Sequence, residues 1–270
     1  MVLYRGDGGF GTTLKEALLD SPVERVFVVD NTCGGFGFLR ELSPKVVYID
    51  PGANVGFGAG HNLAFRRAVS EGFRYHLLLN PDVSFSPKDI EELVRVMERR
   101  PDVGLITPRV FYPDGRIQYH CRLLPTPWHL FRRRFFGENG HDELYELRFT
   151  GYERPMEVPF VMGCFWLLRL SVVDELGGFD PRFFLYMEDV DFCRRLYRCA
   201  RLLFYPEVSV VHEHRRGSYR SGGLLLRHME SAVRYFNKWG WLRDEERDRI
   251  NAEVLRRLGV EVGDGSEKDG

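Results

Sequence analysis

YHLLLNPDVSFSPKDIEELVRVMERRPDVGLITPRV, residues 75–110, reads as a strand, a helix and a second strand. YHLLLN (75–80) is a near-continuous apolar run of the buried-strand type, and VGLITPRV (103–110) is another. Between them, SPKDIEELVRVMERR (86–100) carries the signs of a helix. Ser86 is a natural N-cap, Pro87 stands at the first helical position and Asp89 lies in the first turn. Ile90, Leu93, Val94 and Met97 then fall at i, i+3, i+4 and i+7. Strand–helix–strand alternation with apolar strands predicts an α/β protein: a parallel sheet with helices on both faces.

The pattern extends towards the N-terminus. VERVFVVDN (23–31) and KVVYID (45–50) read as buried strands, and TLKEALLD (13–20) and LAFRRAVSEG (63–72) as helices, the latter stopped by Gly72. Ligands of such sheets bind beyond the carboxyl ends of the strands. That rule sets the strand endings Asp30 and Asp82 on one rim. The character changes after about residue 112. FYPDGRIQYH (111–120) predicts a hairpin around Asp114-Gly115. Residues 121–157 are rich in Arg, aromatics and Pro, with little periodicity, and read as a long functional loop. VPFVMGCFWLLRL (158–170) is a strand or pair of strands, and FFLYMEDVDFCRRLYR (183–198) starts apolar and becomes a charged helix. RLLFYPEVSVVHEH (201–214) reads as two strand pieces broken by Pro206, and LLLRHMESAVRYFNKWGWLRD (224–244) as an amphipathic helix carrying Trp239 and Trp241. The tail from Gly259 is polar and Gly-rich, and is expected to be disordered.

Bulk properties narrow the function classes. The 270 residues are 44% hydrophobic and 29% charged, ordinary for a soluble globular protein, and the net charge of −1 gives no case for nucleic-acid binding. Only five of the 38 basic residues are lysine. Arginine forks suit phosphate and carboxylate recognition, although gene composition or a warm habitat also raises arginine. Cys33, Cys121, Cys164, Cys193 and Cys199 form no CxxC pair, which argues against a disulfide framework or a zinc knuckle. MVLYRGDGGF has no apolar core of a signal peptide, and no run of 18 apolar residues occurs. The expectation is a cytoplasmic protein with reduced thiols.

Four stretches could carry chemistry. Mg²⁺ and Mn²⁺ bind through one or two carboxylates plus substrate phosphate oxygens, and Asp82, aimed by Pro81, offers such a ligand. The plain alternative is a strand-ending turn, since Asn80, Pro81 and Asp82 are all turn formers. MEDVDFCRR holds Glu188, Asp189 and Asp191. At a helix start Asp189 lies where the dipole favours its charged form, and a carboxylate in a cleft suits a general base. Alternatively, Asp191 pairs with Arg194 or Arg195 along the helix. VVHEHRRGS sets His212 and His214 on one face of a strand, beside an Arg pair and Gly217-Ser218: a metal and phosphate site, or structural histidines. NVGFGAGHN (54–62) is a phosphate cradle or a tight turn; its glycine spacing is not the dinucleotide one, and no G-x-x-x-x-G-K-[ST] occurs.

Taken in order, VVDN (28–31), NVGFGAGHN (54–62), LLLNPDV (77–83), MGCFWLLR (162–169), GGFDPRFFLYMEDVDFCRR (177–195) and VVHEHRRGS (210–218) resemble glycosyltransferase family 2, more narrowly its bacterial rhamnosyltransferase-like branch. The resemblance covers about residues 23–220, and GGFDPRFFLYMEDVDFCRR is its most specific piece. It implies a GT-A type fold: a mixed, mainly parallel sheet flanked by helices in one domain over 1–258. Residues 1–112 would be the nucleotide-sugar half, 113–220 the loop-rich acceptor and catalytic half, and 221–258 the C-terminal helices. By the same resemblance, Asp82 in NPD binds a divalent Mg²⁺ or Mn²⁺, with His212, or failing it His214, completing the metal site. Asn80 stands where the family has its first carboxylate. Asp30 matches the acidic residue that meets the nucleoside, and Asn31, Asn54, Gly56 and Asn62 fall in the donor-binding motifs. Asp189 is implied as general base with Glu188 supporting a sugar.

The activity so implied is inverting, metal-dependent transfer of rhamnose or another hexose from a nucleoside-diphosphate sugar to a glycan or lipid-linked acceptor hydroxyl. One displacement suffices, without a second carboxylate as nucleophile. Residues 128–136, in WHLFRRRFF, would lie over the acceptor site and could touch the inner face of the cytoplasmic membrane. The chain departs from the family at its start. Val2-Leu3-Tyr4 replaces a longer first strand and Arg5-Gly6-Asp7-Gly8 the usual base-packing turn, so base recognition is expected to differ. A nucleotidyltransferase-like enzyme or a non-catalytic glycan-binding domain are the rival readings.

Overall fold

The computed structural model describes residues 1–4, 11, 13–15, 22–136, 143–213 and 222–261. Strands β1 (Val2–Leu3), β2 (Val26–Asp30) and β3 (Val46–Ile49) form a parallel sheet in that order. Helix α1 (Phe57–Ser70) leads to β4 (Tyr75–Leu79), the two-residue β5 (Val83–Ser84), helix α2 (Pro87–Arg99) and the long strand β6 (Val103–Phe111). Next come β7 (Cys121–Arg122), α3 (Pro127–Phe135), β8 (Met156–Glu157), β9 (Phe160–Val161) and β10 (Phe165–Arg169). Helices α4 (Leu170–Glu175) and α5 (Glu188–Leu196), strand β11 (Arg201–His212), and helices α6 (Gly222–Trp239) and α7 (Glu245–Arg257) follow.

The larger sheet has the order β4-β10-β6-β11-β5, with β8 also on β11. Both β4 and β6 pair antiparallel with β10, so they run parallel to each other with β10 between them. The β6–β11 ladder is parallel, while β5 and β8 join β11 antiparallel. The result is a mixed α/β sheet: parallel where the first half builds it, antiparallel where the second half returns. Successive residues face opposite sides. Leu78, Leu105, Trp166 and Leu168 pack on the face covered by α1 and α5, and Leu79, Ile106 and Leu167 on the face covered by α2. Leu93 and Met97 of α2 are fully buried there, as their spacing predicts. The capping at Ser86 is also as expected, with Asp89 accepting the Ser86 N–H at 2.8 Å.

Four local expectations are corrected. Helix α1 begins at Phe57, six residues before the predicted start, so most of NVGFGAGHN is helix rather than loop. The reason is packing: a Cβ on Gly58 would lie 2.9 Å from Phe179 Cβ, and one on Gly60 would lie 3.1 Å from the Val2 methyls. These glycines permit close approach, and only Gly56, at φ +88°, uses backbone freedom. Residues 201–212 form one strand. Pro206 sits in a register shift between Tyr205 and Ser209 and does not break it. The 121–157 stretch contains a helix, α3, whose first turn Thr126 caps through the His129 N–H. Finally, α6 ends at Trp239; Gly240 at φ +110° turns the chain, and Trp241 lies beyond it. The hairpin at Asp114-Gly115 and the short first strand are as expected, whereas most of the helix expected over 13–20, the altered turn at 5–8 and residues 262–270 lie outside the described residues.

Candidate active site

The first rim is built at the end of β2. Asp30 is fully buried, and its carboxylate accepts four hydrogen bonds: the Thr32 N–H (2.8 Å), the Thr32 hydroxyl, the Phe36 N–H (2.9 Å) and the Tyr48 hydroxyl. Burial disfavours its charge, but these donors outweigh it and hold the carboxyl below its ordinary range. In return, burial and the Asp30 carboxylate push the Tyr48 hydroxyl up to about 12. A carboxylate has about four acceptor positions. Asp30 spends three of them on the loop from Thr32 to Phe36 and the fourth on Tyr48 of β3.

The neighbouring asparagines are spent in the same way. Asn31 Nδ2 donates to the Gly56 carbonyl (3.1 Å), and Asn54 Oδ1 accepts the Gly56 N–H (3.0 Å). Asn62 bridges α1 to the Gly177–Asp180 turn, donating to the Phe179 carbonyl and accepting the Phe179 N–H, both at 2.8 Å. Gly178, at φ +73°, is forced by that bridge, because a Cβ there would stand 2.3 Å from Asn62 Oδ1. Gly56 is equally tight against Phe184, whose carbonyl takes the Phe57 N–H at 3.0 Å.

The second rim follows β4. The Asn80 N–H donates to the Cys164 carbonyl (2.9 Å), and the Thr13 hydroxyl lies 2.8 Å from the carbonyls of both Pro81 and Val83. β5 pairs with the end of β11 so that Val83 faces His212, which brings Asp82 to that histidine across 130 residues of chain. His212 Nε2 lies 3.2 Å from Asp82 Oδ1, and the Glu213 N–H donates to the Asp82 carbonyl at 3.1 Å. Burial lowers the imidazole's proton affinity. Its bonds to Asp82 and Cys164 more than reverse this and push it up to about 10. On its other side, Gln118 holds His212 by ring and backbone, at 3.1 and 2.7 Å. His214 lies outside the described residues.

The carboxylate pair opens helix α5. Tyr186 and Met187 enter it at φ +68° and +65°, a left-handed turn of two non-glycine residues. Glu188 is buried, and among the described residues its Oε2 has no hydrogen-bond partner. Burial, then the charge of Asp189, push it well above the usual carboxylate range. Asp189 keeps part of its surface open. Its oxygens accept the Val190 N–H (2.9 Å) and the Gly163 N–H (3.3 Å). Burial raises its pKa, opposed by those two N–H groups and by the nearby Arg122 guanidinium. Asp191 takes the plain alternative. It is fully buried between Arg195, Lys238 and the Trp239 indole.

The second rim and the carboxylate pair meet at Met162-Gly163-Cys164. Gly163 donates to Asp189, while the Cys164 carbonyl holds Asn80 and its side chain bonds His212. The structure therefore brings Asn80, Asp82, His212 and Asp189 around one three-residue segment. It sets Glu188 against Gly58, where a glycine Cβ would lie 3.5 Å from Glu188 Cβ. Gln118, Thr13, Gly163 and Arg122 were not singled out from sequence.

The donor set suits a hard divalent cation that takes most of its oxygens from elsewhere. A carboxylate oxygen and an imidazole nitrogen converge, and among the described residues no third His, Cys, Asp or Glu closes around them. A separate cavity of about 480 Å³ lies between Arg182-Phe183 and α6, away from these groups. Its cations Arg182, Lys238 and Arg234 are paired with Asp180 and Glu230.

The family model described as Glycosyl transferase family 2 matches residues 14–177. The chain is 30% identical over 217 residues to the N-acetylglucosaminyl-diphospho-decaprenol L-rhamnosyltransferase of Mycobacterium tuberculosis, covering 74% of this chain and 70% of that one. It superposes on the crystal structure of GalNAc-T7 with UDP, GalNAc and Mn²⁺ with a TM-score of 0.59 at 15% identity, over 94% of this chain and 49% of that one. On the mannosyltransferase PcManGT from Pyrobaculum calidifontis in complex with GDP-Man and Mn²⁺ the TM-score is 0.55 at 17% identity, over 96% and 73%.

Proposed function

The chain belongs to glycosyltransferase family 2, with the GT-A fold, and on that footing we propose that it is an inverting, divalent-metal-dependent transferase. It would move rhamnose or another hexose from a nucleoside-diphosphate sugar to a hydroxyl of a glycan or lipid-linked saccharide. The observation that carries this reading is the convergence of Asp82–His212 and of Asp189, next in the chain to Glu188, on the segment from Met162 to Cys164. In the reaction, Asp189 takes the proton of the acceptor hydroxyl. The hydroxyl oxygen forms the new bond at the anomeric carbon as the bond to the diphosphate breaks, and the diphosphate departs with that electron pair. The raised pKa of Asp189 brings its basicity closer to neutral pH, where proton transfer is most effective. Glu188, pushed towards its neutral form, is a donor for a sugar hydroxyl or ring oxygen. Asp82 and His212 would hold the Mg²⁺ or Mn²⁺, His212 giving up its Nε2 proton, with His214 as a further candidate. The cation, when bound, supplies charge neutralisation for the leaving diphosphate.

The relative named for a decaprenol-linked substrate, and the exposed rings of Trp128, Phe131 and Phe136, support a lipid-linked acceptor met at a membrane surface. Trp128 and Phe131 stack at 5.4 Å on α3 beside Arg132. Leu226, Met229 and Val233 form a second exposed apolar stripe on α6. No helix among the described residues is long and apolar enough to cross a membrane. The proposed contact is a peripheral one, at the cytoplasmic face. Residues 1–112 serve as the donor half, 113–220 as the acceptor half and 221–258 as a helical brace.

The direct test is a thermal-shift screen of nucleotide sugars with and without Mn²⁺, followed by a transfer assay with the best donor. A stabilising donor whose effect requires Mn²⁺ and disappears in Asp82→Ala supports the reading. Equal binding with and without the metal removes Asp82 from the proposed role.

A further inference from the structure

A buried polar chain runs behind the metal rim, and none of its inner members touches the site. Thr107 on β6 donates its hydroxyl to the Phe165 carbonyl (3.0 Å) and lies 3.1 Å from His120 Nε2. His120 Nδ1 lies 3.0 Å from the Gln118 carbonyl. The Gln118 side chain then grips His212, whose Nε2 faces Asp82. Thr107, His120, Gln118 and His212 are all at most 6% exposed.

The amide of Gln118 has one workable orientation. Its Nε2 donates to the His212 carbonyl at 2.7 Å and reaches the Phe111 carbonyl at 3.5 Å. Turned over, its NH₂ could still reach an unprotonated Nδ1, but its oxygen would face two carbonyls, one of them 2.7 Å away, with no proton between them. Oε1 therefore faces His212 Nδ1, which must carry a proton to donate to it. The Nδ1 bond restrains the ring's side-chain torsions, while the carbonyl bond fixes the backbone that carries it.

We propose that Gln118 is a positioning residue: it keeps the His212 proton on Nδ1 and aims Nε2 at Asp82, so that Nε2 is the nitrogen that gives up its proton and offers its lone pair when a divalent cation binds. This rests on the reading of Asp82 and His212 as the metal seat. Partners of this kind orient imidazole ligands and commonly change metal affinity by about 10- to 100-fold when removed.

The test is Mn²⁺ binding by electron paramagnetic resonance, with and without UDP, on the full chain. Gln118→Met preserves length and removes both hydrogen bonds; it is expected to weaken Mn²⁺ by about 10- to 100-fold. Gln118→Glu keeps an acceptor for Nδ1–H but sets an oxygen against the His212 carbonyl, and is expected to retain more affinity than Gln118→Met without reaching the parent's. In a His212→Ala background, Gln118→Met should cause no further loss, because its effect passes through the imidazole. Parental affinity in Gln118→Met, or the same loss in both backgrounds, overturns the proposal. If His212→Ala itself binds Mn²⁺ as the parent does, the metal-seat reading falls and this inference with it. If His212→Ala weakens Mn²⁺ and Gln118→Met does not, only the inference falls. A measurement without variants stands beside these: ¹H–¹⁵N imidazole correlations of the Mg²⁺-loaded parent should show His212 protonated at Nδ1. An Nε2–H signal there would refute the assignment.

Discussion

The two rims of the sheet treat their polar groups in opposite ways. At the end of β2, Asp30 fills its acceptor positions from the Thr32–Phe36 loop and from Tyr48 on the neighbouring β3, and on α1 Asn62 is closed by both polar atoms of Phe179. Around Met162–Cys164, among the described residues, Glu188 has an oxygen with no hydrogen-bond partner, and Asp189 accepts from the backbone N–H groups of Val190 and Gly163. Burial lifts the proton affinity of both. The difference separates residues that shape a site from residues kept ready to act on something else. Spent groups make a rigid wall, whereas under-satisfied, desolvated groups are costly to keep unless they serve a substrate.

The comparison breaks most visibly at Asp189. Asp189→Asn removes the base and little else, since an amide oxygen can still accept the Val190 and Gly163 N–H groups. The expected result is a loss of about 10²- to 10⁴-fold in kcat, with nucleotide affinity and melting temperature nearly unchanged. Steady-state kinetics together with calorimetry of nucleotide binding check it. Turnover at the parent rate would mean that the carboxylate is not the base.

How much of this was legible in the sequence depended on range. Strand–helix–strand order and the Ser86 cap are written locally, and so was the helix that Glu188 opens. The interleaving of β10 between β4 and β6 was not, because ladder order is decided by long-range pairing that no periodicity encodes. Asp82 and His212 were each visible as motif residues. Their meeting needed the β5–β11 ladder, and Gln118, a lone amide in a hairpin, carried no signal without it. The glycines of NVGFGAGHN misled for a physical reason. Glycine signals freedom in a turn and also room for a neighbour, and Gly58 and Gly60 are there to admit Phe179 and Val2.

On the spent rim the expected effect is on folding rather than chemistry. Asn62→Ala leaves the buried N–H and carbonyl of Phe179 unpaired. That costs on the order of 2–4 kcal/mol, which lowers the melting temperature by roughly 5–15 °C. At a temperature where the variant stays folded, donor affinity and kcat should lie close to the parent's. A variant that melts normally but binds the donor poorly would show that Asn62 faces the donor, and would erase the distinction between the rims.

The third effect is a pH dependence whose sign differs between the rims. Asp30 is held below its ordinary pKa, so its contribution to stability is present above about pH 3.9 and is lost as pH falls through the folded value. His76 and His120, lowered by burial to about 3 and about 4, add to the acid-side loss. His212 is raised to about 10, so the folded protein holds that proton more tightly than the unfolded chain, whose imidazole titrates near 6.5. Its contribution is therefore complete below about pH 6.5 and is lost as pH rises through about 10. Urea unfolding of metal-free protein at pH 6 and pH 9.5 should show lower stability at the higher pH, and Asp82→Asn should flatten that difference by removing the imidazolium's partner. The same slope in Asp82→Asn as in the parent would mean that the His212 proton is held by something other than Asp82, and the rim would lose its claim to be the less self-satisfied of the two.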